Sequence, residues 1–395
     1  MFAMSSNIDN WVSSCLSPRQ SGPLRKKEYC GGFLSGLLTC WLLVGFVLLS
    51  SVWIASRWYT MPSQEEFWDS FREEVRLDVS GNCAPRNYRI FRPVTSTPES
   101  RKIAIASLLY THEKGALESY IETSLPNWVA YSELHGYDFA FRQERYRCLP
   151  YSVDIRSAKL LFVLELLMRG YEAVFWTDSD ALVTNCTITL QSFLGEGIGK
   201  TEGGTVGEGA GQPDFFFTGD MNWPINSGQW IVRSTDWGQN FLRSVFNLIL
   251  WRDTPGWTCP RTYHSCEFDP HDNGAFVVRI FGRNLTAMDE WRSKREGYME
   301  GEHECGEGCV EWSKRFFESE FRGRSRMLPI RAMGSPRCDR PSDFRVHFPG
   351  EQKRKKLKIS ECLKLLPDQC QLGRDVTIAE LWREAEHKAK TVWHC

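Results

Sequence analysis

Neither sign of charge dominates this sequence. Lys and Arg number 48, Asp and Glu 49, and the net charge is −1. No basic surplus argues for nucleic acid, and no field of one sign argues for general adhesion to membranes. A phosphate-binding loop is missing as well. "GIGKT" at residues 197–201 tempts that reading, but Leu194 stands where the first glycine of G-x-x-x-x-G-K-T belongs, and no strand leads into it. A glycine-rich loop over 195–211, a candidate lid, is the reading instead. Half of a zinc site is also missing. Cys305 and Cys309 have no second pair at matching distance, so they read as disulfide cysteines.

Long apolar runs are absent with one exception. Residues 31–56 hold 26 positions without a charge, enough at about 1.5 Å per residue to span a hydrocarbon core of about 30 Å. Arg25, Lys26 and Lys27 precede the run and Arg57 alone follows it, which puts the N-terminus in the cytosol. Trp53 and Trp58 lie where an interfacial belt would be. The organisation expected is a cytosolic segment 1–30, a signal-anchor transmembrane helix 31–56, a stem 57–100, a globular domain 101–352 and a basic, then helical tail 353–395. The protein is then a single-pass type II protein of a Golgi or ER membrane, its main domain lumenal. Eleven of the 14 cysteines lie beyond residue 57, and an oxidising lumen favours disulfides. An odd number leaves one cysteine free or shared between chains, so a homo-oligomer stays open. The sequons at Asn185 and Asn284 suit the same compartment.

Composition is that of an ordinary globular protein. Sixteen tryptophans can line a sugar cleft, although indoles fill cores more often. From residue 102 the patterning alternates. "KIAIASLLY" is of strand length; residues 116–134 have helical spacing interrupted by Pro126; "DFAF" alternates as a strand. Residues 155–168 read as a helix with Ala158, Leu161, Phe162 and Leu166 on one face, closed by Gly170. Then "EAVFWT" runs into Asp178 and Asp180. This β–α–β–α–β order predicts an α/β fold with a mainly parallel sheet. Ligands of such sheets bind beyond the carboxyl ends of the strands, where the two acids stand. Further on, "DFFFTGD" and "NSGQWIVR" read as strands, residues 235–251 and 271–282 as helices, and "FRVHFPG" as a late strand.

Two carboxylates one residue apart at a strand end repel each other unless a positive charge lies between them. Hard divalent cations take carboxylate oxygens, and in nucleotide sites phosphate oxygens complete the shell. A cation on a diphosphate neutralises charge as that diphosphate departs. A turn whose Asp caps the following helix would also write D-x-D. Arg156 and Lys159, three apart, could reach phosphates or form a solvated face.

Several stretches together resemble the family-34 glycosyltransferases, the group of fungal α-galactosyl- and α-mannosyltransferases and plant xyloglucan xylosyltransferases. They are "YSELHGYDFAF", "VFWTDSDALVTN", "TGDMNWPINSGQWIVRSTDW", "HDNGAF" and "VHFPG", in that family's order, between residues 102 and 350. The resemblance implies a GT-A nucleotide-sugar-binding fold, transfer with retention, a nucleotide-diphosphate sugar donor, a glycan or glycoprotein acceptor, and Mn2+. Carried over by position, Asp178, Asp180 and His347 are the metal ligands, and Asp178 faces the donor. Asn226 and Gly228 shape the sugar and acceptor pocket. Asp272 and Asn273 are the catalytic candidates that stabilise the developing oxocarbenium centre or the transferred sugar. This chain has Asp-Asn where the family usually has an acid and Gln. Glu351 and Gln352 intervene after the closing glycine, so Lys353 is the substitute for the family's diphosphate lysine. The rival readings are a D-x-D phosphohydrolase, with Asp178 as nucleophile, and a non-catalytic lumenal lectin-like protein.

Overall fold

A computed structural model describes residues 41–48, 50, 62–79, 88–93, 102–109, 124–143, 145–150, 153–194, 212–219, 223–250, 272–282, 286–291, 293, 312, 313, 315–328, 333, 338, 344–348, 352–367 and 370. The chain divides into a unit over residues 1–60 and one over 61–395. In the first, residues 41–48 are helical and largely exposed. The rest of the expected transmembrane run, apart from residue 50, lies outside the described residues. Among the described residues no helix is long and apolar enough to cross a membrane. The candidate lid at 195–211, the sequon at Asn284 and the pair Cys305 and Cys309 also lie outside them.

The second unit is built on a seven-stranded sheet in the order β1-β3-β2-β4-β7-β6-β8. The strands are β1 (Tyr88–Phe91), β2 (Ile103–Leu108), β3 (Asp138–Arg142), β4 (Ala173–Thr177), β6 (Phe215–Phe217), β7 (Gln229–Arg233) and β8 (Ser325–Met327). β2 pairs in parallel with β3 and β4, and β6 with β8. β1 and β7 run against their neighbours. Five strands therefore point one way and two the other. The sheet is mixed, with a parallel heart where the sequence spaced strands and helices alternately. A hairpin-like return at β7 cannot be seen in that spacing, because an antiparallel strand has the same period of two as a parallel one.

Alternation sorts each strand onto two faces. Ala104, Ala106, Val174 and Trp176 enter one apolar cluster, and Ile103, Ile105 and Phe175 the other. On the first face lie α3 (Ala158–Met168), α5 (Asp236–Leu250) and α6 (Asp272–Phe281). α3 is buried from Ala158 through Leu167, not along the single stripe its spacing suggested, because it is enclosed between the sheet and α5. Gly170, at φ 95°, closes it as the sequence indicated. On the second face lie α2 (Ser124–His135), the short α4 (Leu190–Leu194) and α7 (Gln352–Leu363), with the ribbon of β5 (Ala181–Val183) and β9 (Arg345–His347). α2 begins at Ser124. Pro126 falls in its first turn, where a missing N–H costs no hydrogen bond.

Two segments of the expected stem pack into this unit. α1 (Gln64–Val79) buries Phe67, Phe71 and Val75 in the first cluster, and β1 pairs with β3. Glu74 of α1 accepts from the backbone of Arg147 and Cys148 and lies 3.5 Å from the buried guanidinium of Arg142. Apolar spacing in α1 thus marks folded structure that begins before residue 101. Two disulfides, Cys186–Cys370 and Cys338–Cys362, tie the second face together. Cys148 is free among the described residues.

Candidate active site

β4 delivers the acid pair. Its register with β7 sets Thr177 opposite Gln229, and the Asp178 N–H extends the ladder to the Gly228 carbonyl at 2.8 Å. The chain then leaves the large sheet, turns through Ser179 and Asp180, and enters β5. One face of α2 holds that turn. Ser124 donates its hydroxyl to the Ser179 carbonyl, Trp128 donates its indole N–H to the Ala181 carbonyl at 2.8 Å, and the Asn127 amide both accepts from Val183 N and donates to Val183 O. The spacing i, i+3, i+4 lines up those three side chains. Nothing in the apolar pattern of α2 announces this role.

β5 pairs antiparallel with β9, Ala181 facing His347. His347 Nε2 thereby comes to 3.2 Å from Asp180 Oδ1 and 4.0 Å from Asp178 Oδ2. Asn226 Nδ2 lies 3.1 Å from the other ring nitrogen and fixes the plane of the imidazole. Asp178, Asp180 and His347 each offer an atom within 4.8 Å of the others. Two ligands at right angles on a hard divalent ion, each at about 2.1 Å, stand about 3 Å apart, close to the Asp180–His347 separation. Two carboxylates and an imidazole suit a first-row transition ion better than Mg2+. The donor set fits a divalent metal.

Asp178 works in two directions. While Oδ2 faces His347, Oδ1 accepts from the Trp176 indole at 2.9 Å and from Lys159 Nζ at 3.2 Å. Lys159 is buried in α3, donates also to the Ser227 carbonyl, and meets Asp272 Oδ2 at 2.6 Å. Of the two readings open for Lys159, phosphate contact or solvated face, its burial removes the second. Arg156 belongs to the short 3-10 turn Ile155–Ser157 that precedes α3, is more than half exposed, and binds Asp154. Its pKa is raised by that hydrogen bond, and the charges of Asp272 and Asp178 add to the shift. Arg156 sits at the rim and Lys159 in the floor. Burial alone would raise the pKa of Asp272, but the charge and hydrogen bond of Lys159, with the Ser227 hydroxyl, hold it well below the usual carboxylate range. Burial alone would lower that of Lys159; the charges of Asp178 and Asp272 raise it instead. Both groups are ionised at neutral pH.

The turn at residues 226–228 closes the site. Asn226 Oδ1 accepts from Gly228 N, Asn273 Oδ1 accepts from Ser227 N, and Ser227 Oγ donates to Asp272 at 2.9 Å. A Cβ on Gly228 would stand 2.7 Å from His347 Cε1 and 2.9 Å from Asp178 Oδ2. Only glycine lets the turn come so near His347 and Asp178.

The structure thus brings together Asp178, Asp180, His347, Asn226, Gly228, Lys159, Asp272 and Asn273. Lys353 lies in the first turn of α7, and its side chain is outside the described residues. Three further residues escaped sequence reasoning. Ser227 was passed over between two residues that were singled out, and Trp176 reads as a core indole. Arg345 is fully buried behind the acids, and its one signal was a lone charge in an apolar strand.

No curated protein matches the chain. Among solved structures it is similar to a glycosyltransferase involved in the glycosylation of the major capsid of PBCV-1, at 14% identity and TM-score 0.39, over 66% of this chain and 98% of that one. It is also similar to the glycosyltransferase GlyE of Streptococcus pneumoniae, at 11% identity and TM-score 0.30, over 73% of this chain and 64% of that one. Residues 102–196, which carry β2 through the acid pair to α4, match the sequence model of the galactosyl transferase GMA12/MNN10 family, the family-34 group that the motifs resemble.

Proposed function

We propose that this protein is a retaining glycosyltransferase that moves a hexose or pentose from a nucleotide-diphosphate sugar to a glycan or glycoprotein acceptor, with Mn2+ held by Asp178, Asp180 and His347. The observation that carries this reading is the convergence of those three ligands, from two strands far apart in sequence, beside the buried Lys159–Asp272 pair. The family match over residues 102–196 supports glycosyl transfer as the reaction class.

Bound there, Mn2+ would supply charge neutralisation at the departing diphosphate. The chain's own residues do the rest. Lys159 fixes Asp178 and Asp272 in one orientation and adds a buried positive charge to the floor. Arg156 at the rim and Lys353 on α7 are the candidates for the phosphates. Asp272, held ionised, places a negative charge where positive charge develops on the sugar. Asn273 pins Ser227, so the turn at 226–228 presents a fixed wall to the acceptor. The acceptor hydroxyl attacks C1 from the face that the diphosphate leaves; the C1–O bond to phosphate breaks, and the hydroxyl proton passes to the leaving phosphate oxygen. Anchoring as a single-pass type II protein of a Golgi or ER membrane rests on the uncharged run and its flanking charges, and the two disulfides agree with an oxidising lumen.

The test is a screen of the full chain, purified in detergent, against a panel of nucleotide sugars and glycan acceptors with and without Mn2+. The expected result is metal-dependent transfer with the donor's anomeric configuration kept, read by NMR of the product. Transfer that survives exhaustive chelation, or an inverted product, would sink the proposal.

A further inference from the structure

A guanidinium without a carboxylate of its own lies behind the acid pair. Arg345 stands two residues before His347 on β9, so both side chains leave the same side of that strand. It is fully buried, 5.3 Å above the Trp128 ring and 5.6 Å above that of Phe175. Its single hydrogen bond among the described residues runs from Nη2 to the Gly228 carbonyl at 3.4 Å, the same oxygen that accepts from Asp178 N. Among the described residues Nε and Nη1 have no hydrogen-bond partner. No carboxylate among the described residues reaches ion-pair distance of it.

A buried cation left in this state is costly. A guanidinium keeps its proton at neutral pH even when buried. Its field acts through space on both acids. The same field acts with opposite sign on any cation lodged between those acids, and screening is weak at this depth.

We propose that Arg345 is a positioning residue that keeps the ionised acid pair assembled without metal and holds down its affinity for a bare divalent cation, so that the ion binds firmly only together with a nucleotide diphosphate. The inference rests on the metal reading of Asp178, Asp180 and His347. The phosphates bring enough negative charge to outweigh one guanidinium. The free site, carrying two carboxylates, an imidazole, Arg345 and the Lys159–Asp272 pair, does not. Cation and nucleotide then arrive together and leave together, which keeps the spent diphosphate from being trapped by a tightly held metal.

The experiment is calorimetric titration of the full chain in detergent with Mn2+ alone, and then with Mn2+ in the presence of uridine or guanosine diphosphate. Wild type is compared with Arg345→Met, Arg345→Gln and Arg345→Lys, and folding is checked by thermal melting. Wild type is expected to bind Mn2+ weakly alone and at least about tenfold more tightly with one nucleotide. The neutral variants should bind Mn2+ alone about tenfold or more tightly than wild type, so that the gain on adding nucleotide shrinks. Arg345→Lys, which keeps the charge, should stay within about threefold of wild type. A merely structural arginine would give weaker binding in all three. Folded neutral variants that bind Mn2+ no tighter than wild type would overturn the inference while leaving the metal reading intact. So would failure of both neutral variants to fold. No Mn2+ binding by wild type under either condition would overturn the metal reading and this inference with it.

Discussion

His347 Nε2 lies 3.2 Å from Oδ1 of Asp180, across 167 residues of sequence. The contact exists because β9 pairs with β5 in a ribbon that begins where the acid pair ends. Two acids and an imidazole so placed form a ligand set, and removing one should cost chemistry far more than folding. Asp180→Ala and His347→Ala are expected to melt within a few degrees of wild type. Their turnover should fall by about a thousandfold or more, about 4 kcal/mol of transition-state stabilisation. Chelation of wild type should match that loss, and Mn2+ should restore it. Near-normal transfer by Asp180→Ala would refute the ligand role.

Gly228 leaves no room for a side chain. An added methyl group meets His347 and Asp178 at under 3.0 Å, so Gly228→Ala must push the turn or the imidazole aside. A displacement of about 1 Å at a reacting centre costs roughly a hundredfold. The expected outcome is a folded protein with at least that loss of turnover and weaker Mn2+ binding with nucleotide. Unchanged kinetics would mean that the turn does not border the reacting atoms.

The Lys159–Asp272 pair predicts a pH dependence. The folded pKa of Asp272 is depressed, so its contribution is complete above the unfolded value of about 3.9 and is lost as pH falls below it. The folded pKa of Lys159 is raised, so its contribution is complete below the unfolded value of about 10.4 and is lost as pH rises through the folded one. The pair should stabilise uniformly between those limits. Asp272→Asn is expected to lower unfolding free energy by about 3 kcal/mol at neutral pH, since it leaves a buried ammonium with one of its two carboxylates. That deficit should be flat from about pH 5 to 9 and shrink below about pH 4. Urea melts across that range measure it; a deficit that grows on acidification would contradict the pairing.

Cys186 and Cys370 close a loop of 184 residues around the second face. The Cys370 carbonyl also accepts from Asn127 Nδ2, the same amide that holds β5. Cys370→Ser is expected to lose about 2–5 kcal/mol. Because β5 fixes the turn between the acids, Mn2+-dependent turnover should fall with it. A variant equal to wild type in melting temperature and in its requirement for Mn2+ would show the bond to be dispensable.

Local periodicity in the sequence determined the parallel heart of the sheet. Ile103 to Leu108, Ala173 to Thr177 and the helix between Asp154 and Gly170 each announce themselves within about a dozen residues, because backbone geometry repeats at that range. The strand that ends at Thr177 marked where a candidate cation-binding pair stands, and the motif likeness added His347 and Asp272 as candidates. What the periods could not hold is which side chains meet. Lys159 read equally as a phosphate contact or a solvated residue and is buried between two acids. Ser124, Asn127 and Trp128 looked like ordinary helix residues and hold the acid turn. Arg345 stood unremarked in a late strand and lies behind the site with Nε and Nη1 unpartnered among the described residues. Those pairings span tens to hundreds of residues. Only collapse of both apolar faces onto one sheet brings such groups within a few ångströms, where charge and hydrogen bonding, screened at long range in water, begin to act.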